Sequence, residues 1–433
     1  MTATDLVRRL GDAIVPQAHN PPSGGGSAPL GSRTRLRTAA ARMLRHLGNR
    51  VKHLSAEPPR LALRIAHNTT ARSLTRSSLP VEIVNDSVLT LGLELRDRVI
   101  AEYLGKYSNT AFRILISRPQ NGVGAVWFAD LTACLQHVGI AVMLVDAHDP
   151  TFRDKWQRFH PNVFIAIDST ETLAALDLVF IAEYKKEHGC LRLLTPTTTH
   201  RFPLSGCSSE DRTRLALATS GMSADAYFSM MEPEFFQLFF VDWLQRGFKY
   251  FAIPCAANPF RHFPVRASKD LDYLVVTSCN PEKVRVSHDF LLPIVKHYYG
   301  IWAGTDWGFG MGPLVGGTLN YYYARARIAP APLVRSLREF PCEVSERAFS
   351  GPACGGFMLT NPTPVTSRFF EPTELALSPS PREFVDAFGY YARRPDDRTG
   401  FVIRGMTRVF TQHTYFHRID RLVEVLSECS KMF

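Results

Sequence analysis

The stretch FSGPACGGFMLTNP, residues 349–362, sets Cys354 before two glycines and an apolar run. A cysteine so placed is a nucleophile, a redox thiol or a small side chain in a tight turn, and no histidine adjoins it in sequence to activate it. His413 and His417, four apart in HTYFHR, have the spacing of two metal ligands on one helical face, but no third ligand stands at a sensible interval. Asp396 and Asp397 in RRPDDR look like a metal pair only superficially. Gly122 and Gly124 in PQNGVGAV lie between an apolar run and a helix-period stretch. A dinucleotide site would want a third glycine where Trp127 stands. His148 in VDAHDP is either a loop histidine or a base toward a hydroxyl.

These residues need a scaffold. FRILISR, IAVMLVD, NVFIAID, CLRLLTP and AYFSMM read as strands, with helical segments between several of them. PEFFQLFFVDWLQRG reads as a helix closed by Gly247 that leads into the strand KYFAIPCA. After the loop ANPFRHFPVRASKDL a second series begins with DYLVVTS, turns at CNPEK, and continues as the helical VRVSHDFLLPIVKHYYG. Helices are expected over 345–353, 382–394 and 415–430, the first running through Gly355 and Gly356 into the strand FMLTN. Strands alternating with helices predict parallel sheets, hence an α/β protein of two doubly wound halves facing across a cleft. The expected division is a basic extension over 1–80, a first half over 81–257 and a second over 258–433, with the last helix crossing back.

Composition narrows the class. With 433 residues, 45% hydrophobic side chains and 29 phenylalanines, the chain is large enough for two cores. No apolar run reaches the roughly 18–20 residues of a membrane span. The eight cysteines are scattered without a Cys-x-x-Cys pair, which argues against a zinc cage or disulfide framework and fits a reducing cytoplasm. The net charge of +10 is concentrated: residues 1–80 hold thirteen Lys/Arg against Asp5, Asp12 and Glu57, and the remainder is neutral. A neutral body argues against nucleic acid as a partner. Residues 34–52 place Leu36, Ala40, Met43, Leu47 and Val51 near one helical face. They read as an interfacial helix on anionic lipid, a solvated basic helix or an organelle transit segment.

The order SERAFSGPACGGFMLTN, FFEPTELAL, YYARRPDDRTGFVIRGM and HTYFHRIDRLVEVL resembles the C-terminal domain of CgeB-like glycosyltransferases. Arg347, Phe349, Pro352, Ala353, Cys354, Gly355, Leu359, Thr360, Glu374, His413, Thr414, Tyr415 and Arg418 fit that pattern. The resemblance is good over 321–430, weaker from 111 onward, and leaves residues 1–110 outside.

It implies a GT-B fold of two Rossmann-like domains and transfer of a sugar from a nucleoside-diphosphate donor to an acceptor, without metal or further cofactor. The second half would hold the donor diphosphate at the N-terminus of the 345–353 helix. Lys283 and Arg285, in the turn that contains Asn280, would neutralise it, with Arg285 preferred. Gly355 and Gly356 would allow the approach, and Cys354 becomes a small buried residue. Ser350 stands where the family has a glutamate for the ribose hydroxyls, with Glu346 and Glu374 as replacements. The Gly122–Gly124 loop would face the acceptor and His148 would act as base. The Pro–acid run at 395–397 becomes a turn between helices.

The resemblance therefore implies a cytoplasmic glycosyltransferase, peripheral at the inner membrane face if the basic arm binds lipid. The acceptor would be a saccharide, a lipid-linked group or a protein. The substitution at Ser350 raises a second reading, a non-catalytic nucleotide-sugar-binding protein of the same fold. A third, an oxidoreductase, is weakened by the incomplete glycine fingerprint.

Overall fold

The computed structural model describes residues 61–62, 64–66, 68–69, 77–83, 85–118, 123–196 and 208–430. The basic 34–52 segment and Gly122 lie outside the described residues. Two wholly parallel sheets organise the rest. The first holds β1 (Arg113–Arg118), β2 (Ala141–Asp146), β3 (Val163–Ile167), β4 (Leu191–Thr195), β5 (Ala226–Ser229) and β6 (Lys249–Ala252), in the order β2-β1-β3-β4-β5-β6. The second holds β7 (Leu271–Val276), β8 (Gly300–Ala303), β9 (Ala326–Pro330), β10 (Met358–Thr360) and β11 (Ala376–Leu377), in the order β11-β10-β9-β7-β8. This is the expected doubly wound α/β architecture.

The strands read as unbroken apolar runs because helices cover both faces of a parallel sheet. Ile114, Leu115 and Ile116 are all fully buried although their side chains alternate in direction. The aromatic helix expected over 233–247 is two helices, Pro233–Phe239 and Val241–Gln245, broken at Phe240, and Gly247 closes the second with φ of +83°. The short strands β8, β9 and β11 and the Pro395–Gln412 helix carried too little local signal to be read beforehand.

In each sheet the order reverses once. The chain leaves β1 for β2 on one side and returns to β3 on the other; it leaves β7 for β8 and returns to β9. A crevice opens at each reversal, at the carboxyl ends of the strands. The terminal Tyr415–Ser430 helix packs on the first half: Phe416 stacks on Tyr103 and His137 at 5.0 and 5.2 Å. Ala257 N donates to His413 O at 3.0 Å and Tyr415 N to Ala257 O at 3.0 Å, stitching the connection between the halves.

Residues 77–83, close to the expected boundary at 80, belong physically to the second half. Glu82 and Lys269 exchange backbone hydrogen bonds of 3.1 and 3.0 Å as an antiparallel bridge. Among the described residues, no helix is long and apolar enough to cross a membrane.

Candidate functional site

The crevice between β7 and β9 receives a helix from each side. Asn280 caps the Pro281–Val286 helix, its side chain accepting from Lys283 N at 2.8 Å. That cap sets the first turn so that Lys283 Nζ reaches back to Ser278 Oγ, 2.7 Å away in the loop after β7. Arg347 opens the Arg347–Ala353 helix on the return from β9 and donates Nη1 to Val276 O, at the end of β7, at 2.9 Å. The two cations are neighbours. Burial and the positive charge of Arg347 hold the Lys283 amine down to about 8, and burial lowers Arg347 as well.

A cavity of about 20 Å³ lies beside Arg347, floored by Met358 and Thr360 of β10 and walled by Ala331, Leu333 and Ser345. Chemically, the arrangement suits an anion. Two cations held close together and partly out of water repel, and a multiply charged oxyanion between them removes that repulsion. In the first turn of the seven-residue Arg347–Ala353 helix, Ala348 N already donates to Ser345 O and Phe349 N to Glu346 O, both at 2.9 Å, so the cations and not the helix end carry this arrangement.

The other residues singled out in the sequence divide into those that reach this crevice and those that do not. Lys283 reaches it; Arg285, two helical positions on, is rotated from Lys283 by roughly 200° about the helix axis. Asn280 serves as the helix cap. Glu346 sits at the start of the same helix as Arg347, among groups of the first half. Burial and then the carboxylate of Asp130 raise its acid to about 6, with Arg261 and Arg347 pulling the other way. Asp130 itself accepts from Arg261 Nη1 at 2.7 Å and Asn258 Nδ2 at 2.9 Å. Ser350 is 4% exposed and lies close enough to the Tyr323 hydroxyl to ease its ionisation slightly against strong burial.

Gly355 and Gly356 stand at the far end of the Arg347–Ala353 helix, about 10 Å of helix away from Arg347. Gly355 has φ of +73°, and a Cβ at Gly356 would come within 2.7 Å of the Tyr323 ring. Both glycines thus answer to backbone turn and packing. Cys354, just before them, is 1% exposed, its thiol donates to Asn320 Oδ1 at 3.1 Å, and burial pushes its pKa far up. The small-residue reading fits this thiol. Glu374 holds Arg408 Nε with both oxygens at 2.9 Å, which commits its carboxylate to the Pro395–Gln412 helix.

In the first half, Gly124 lies in the first turn of the Val123–His137 helix that follows β1. His148 is exposed beyond β2, the edge strand, with Nδ1 3.3 Å from Asp146 Oδ1. A carboxylate at that place orients the imidazole. His413 gives Nε2 to Phe369 O at 2.9 Å, while His417 Nδ1 meets Thr414 Oγ1 at 2.8 Å. Asp396 and Asp397 occupy the first turn of the Pro395–Gln412 helix, where acids favour the dipole. Among the described residues no group of three His, Cys, Asp or Glu could hold a metal ion.

Arg347 was the residue that sequence reasoning left without a role. Its place in the Arg-x-Phe motif was visible, but its contact with Val276 spans 71 positions of chain.

A family model described as glycosyl transferase-like matches residues 288–424. No curated protein matches the sequence. Among solved structures, the chain is similar to sucrose-phosphate synthase from Thermosynechococcus elongatus, with a TM-score of 0.53 and 13% identity over 76% of this chain and 98% of that one. It is also similar to the DNA-modifying β-glucosyltransferase, at a TM-score of 0.49 and 10% identity over 74% of this chain and 100% of that one. HepE of Anabaena, solved with UDP, follows at 0.45 and 11% identity, covering 73% of this chain and 100% of that one. At 13% identity the first likeness establishes architecture, and that architecture is the GT-B fold of two parallel-sheet halves.

Proposed function

We propose that the protein is a CgeB-like hexosyltransferase that uses a nucleoside-diphosphate sugar, with the diphosphate seated between Lys283 and Arg347. The observation that carries this reading is the convergence of those two cations, from opposite crossovers, on the reversal point of the second sheet. The family match over 288–424 supports it, and the neighbours solved with UDP or UDP-glucose bind that class of donor. The leaving diphosphate gains negative charge as the glycosidic bond breaks, and fixed cations stabilise it without a metal or cofactor. The acceptor would enter from the first half, where His148 beside Asp146 supplies a base. A lipid-linked acceptor follows if the basic residues 1–60 hold the protein on the cytoplasmic membrane face. Their deletion should then abolish sedimentation with anionic vesicles while nucleotide binding survives.

The second reading, a nucleotide-sugar-binding protein without turnover, is favoured by Ser350. A hydroxyl buried against Tyr323 offers a ribose diol less than a carboxylate does. Calorimetry with UDP, GDP and dTDP, followed by donor hydrolysis assays with the matching sugars, separates the two. Binding without hydrolysis favours the second reading, and stabilisation by NAD(P) alone would overturn both.

A further inference from the structure

A second cavity, of about 70 Å³, opens at the opposite rim of the second sheet, at the amino ends of its strands. Lys269 precedes β7, Arg327 is the second residue of β9 and Phe357 precedes β10, and all three line it. The charges around it do not balance. Arg327 gives Nε to Glu82 Oε1 at 2.8 Å and Nη1 to Asp272 Oδ1 at 2.7 Å. Arg398 takes the other oxygen of Glu82. Two arginines thus consume both carboxylates.

Lys269 remains as a third cation, and among the described residues its amine donates to the backbone carbonyls of Ala324 and Ala326, at 3.1 and 2.8 Å. An ammonium carries three donors, so one N–H is left over beside the cavity. A positive charge drawn out of water without a counter-charge is unfavourable. The opposite wall is apolar, built from Val88, Leu89, Pro264 and Val402.

We infer that this cavity is a binding site for a small carboxylate with a short apolar tail, its carboxylate on Lys269 and its tail against Val88 and Val402. One water needs about 10–15 Å³ of such space, so 70 Å³ takes a molecule of about five to seven non-hydrogen atoms, the range of butyrate or a 2-oxo acid of similar length. Inorganic phosphate satisfies the charge but leaves the apolar wall uncovered. The titration of Lys269 supports the geometry: burial, Arg398 and Arg327 lower its amine to about 8, with Glu82 opposing. An anion on that amine raises it again, so binding near pH 8 takes up protons.

The site lies at the far end of the strands from Lys283 and Arg347, so it stands or falls apart from the proposed donor site. The experiment is calorimetric titration of the full chain with butyrate and, separately, phosphate, at matched ionic strength and in two buffers of different ionisation enthalpy at pH 8. Saturable butyrate binding with proton uptake, weakened at least tenfold in Lys269→Met, is the expected result. Phosphate binding as tight as butyrate, no saturable butyrate binding, or unchanged affinity in Lys269→Met overturns the inference. If Lys269→Met does not fold, Val88→Phe fills the tail space. Unaltered butyrate affinity in a folded Val88→Phe protein is then equally fatal, and its loss supports the site.

Discussion

Lys283 Nζ, fixed on Ser278 Oγ at 2.7 Å, feels the charge of a guanidinium delivered from 64 residues further along the chain, that of Arg347. Neither residue is remarkable in its own segment. Together they make a place where an anion is wanted, at the one point in the second sheet where the crossovers diverge.

Removing either cation should weaken nucleoside-diphosphate binding by about 1.5–3 kcal/mol, the range for a charged hydrogen bond, or roughly 10- to 150-fold. Lys283→Ala and Arg347→Ala titrated with UDP measure this. Arg347→Lys keeps the charge and controls for the lost bond to Val276. Unchanged affinity in folded variants would remove the pair from the site. Arg285→Ala is the comparison: affinity lost there instead would restore the choice made from sequence.

The depressed Lys283 amine gives a pH dependence of definite sign. Below pH 8 the amine is charged and attracts the diphosphate; as pH rises through 8 the charge is lost and affinity should fall. Lys283→Arg stays charged, so its affinity should be flat from pH 7 to about 9. On stability the same shift acts the other way. The unfolded chain holds this proton up to its ordinary value of 10.5, so stability should rise between pH 8 and 10.5.

Glu346 provides a second test. Its folded acid is raised to about 6 from 4.5, so the unfolded state ionises first and wild type should lose stability between those two values as pH rises. The full effect is about 2 kcal/mol by linkage. Glu346→Gln should therefore gain on wild type in melting temperature between pH 4.5 and 7. Equal pH profiles for the two proteins would mean that Glu346 is solvated and unshifted.

Cys354→Ala should keep donor binding and any turnover, and should lose about 1 kcal/mol of stability with the bond to Asn320. In the native protein this thiol should resist a disulfide reagent until denaturant is added. Loss of activity in a folded Cys354→Ala protein would return the nucleophile reading.

Ser350→Ala tests the departure from the family pattern. With the hydroxyl buried beside Tyr323, deletion should leave UDP affinity within about twofold, less than the 0.5–1.5 kcal/mol of a typical hydrogen bond. A tenfold loss would show the hydroxyl on the donor ribose.

The sequence by itself determined what depends on neighbours along the chain. Apolar runs of five or six residues between helix-period stretches fixed two parallel sheets, since only strands covered on both faces lack an alternating pattern. The run from Arg347 to Thr360 marked a helix, a glycine turn and a strand because each is a local conformational preference. The tertiary structure decided what depends on direction. How Lys283 comes to share the crevice with Arg347 turns on a helix rotation set by the Asn280 cap and by packing of Val284 and Val286 beneath. Glu374 looked like a spare ribose ligand until Arg408, 34 residues on, took both its oxygens. The uncompensated Lys269 required three arms of chain, around 82, 269–272 and 327, to meet at one sheet rim. Such meetings are fixed by the burial of whole faces. The charged groups are carried to them by the apolar residues on either side, and their own identities say nothing in advance about whom they will meet.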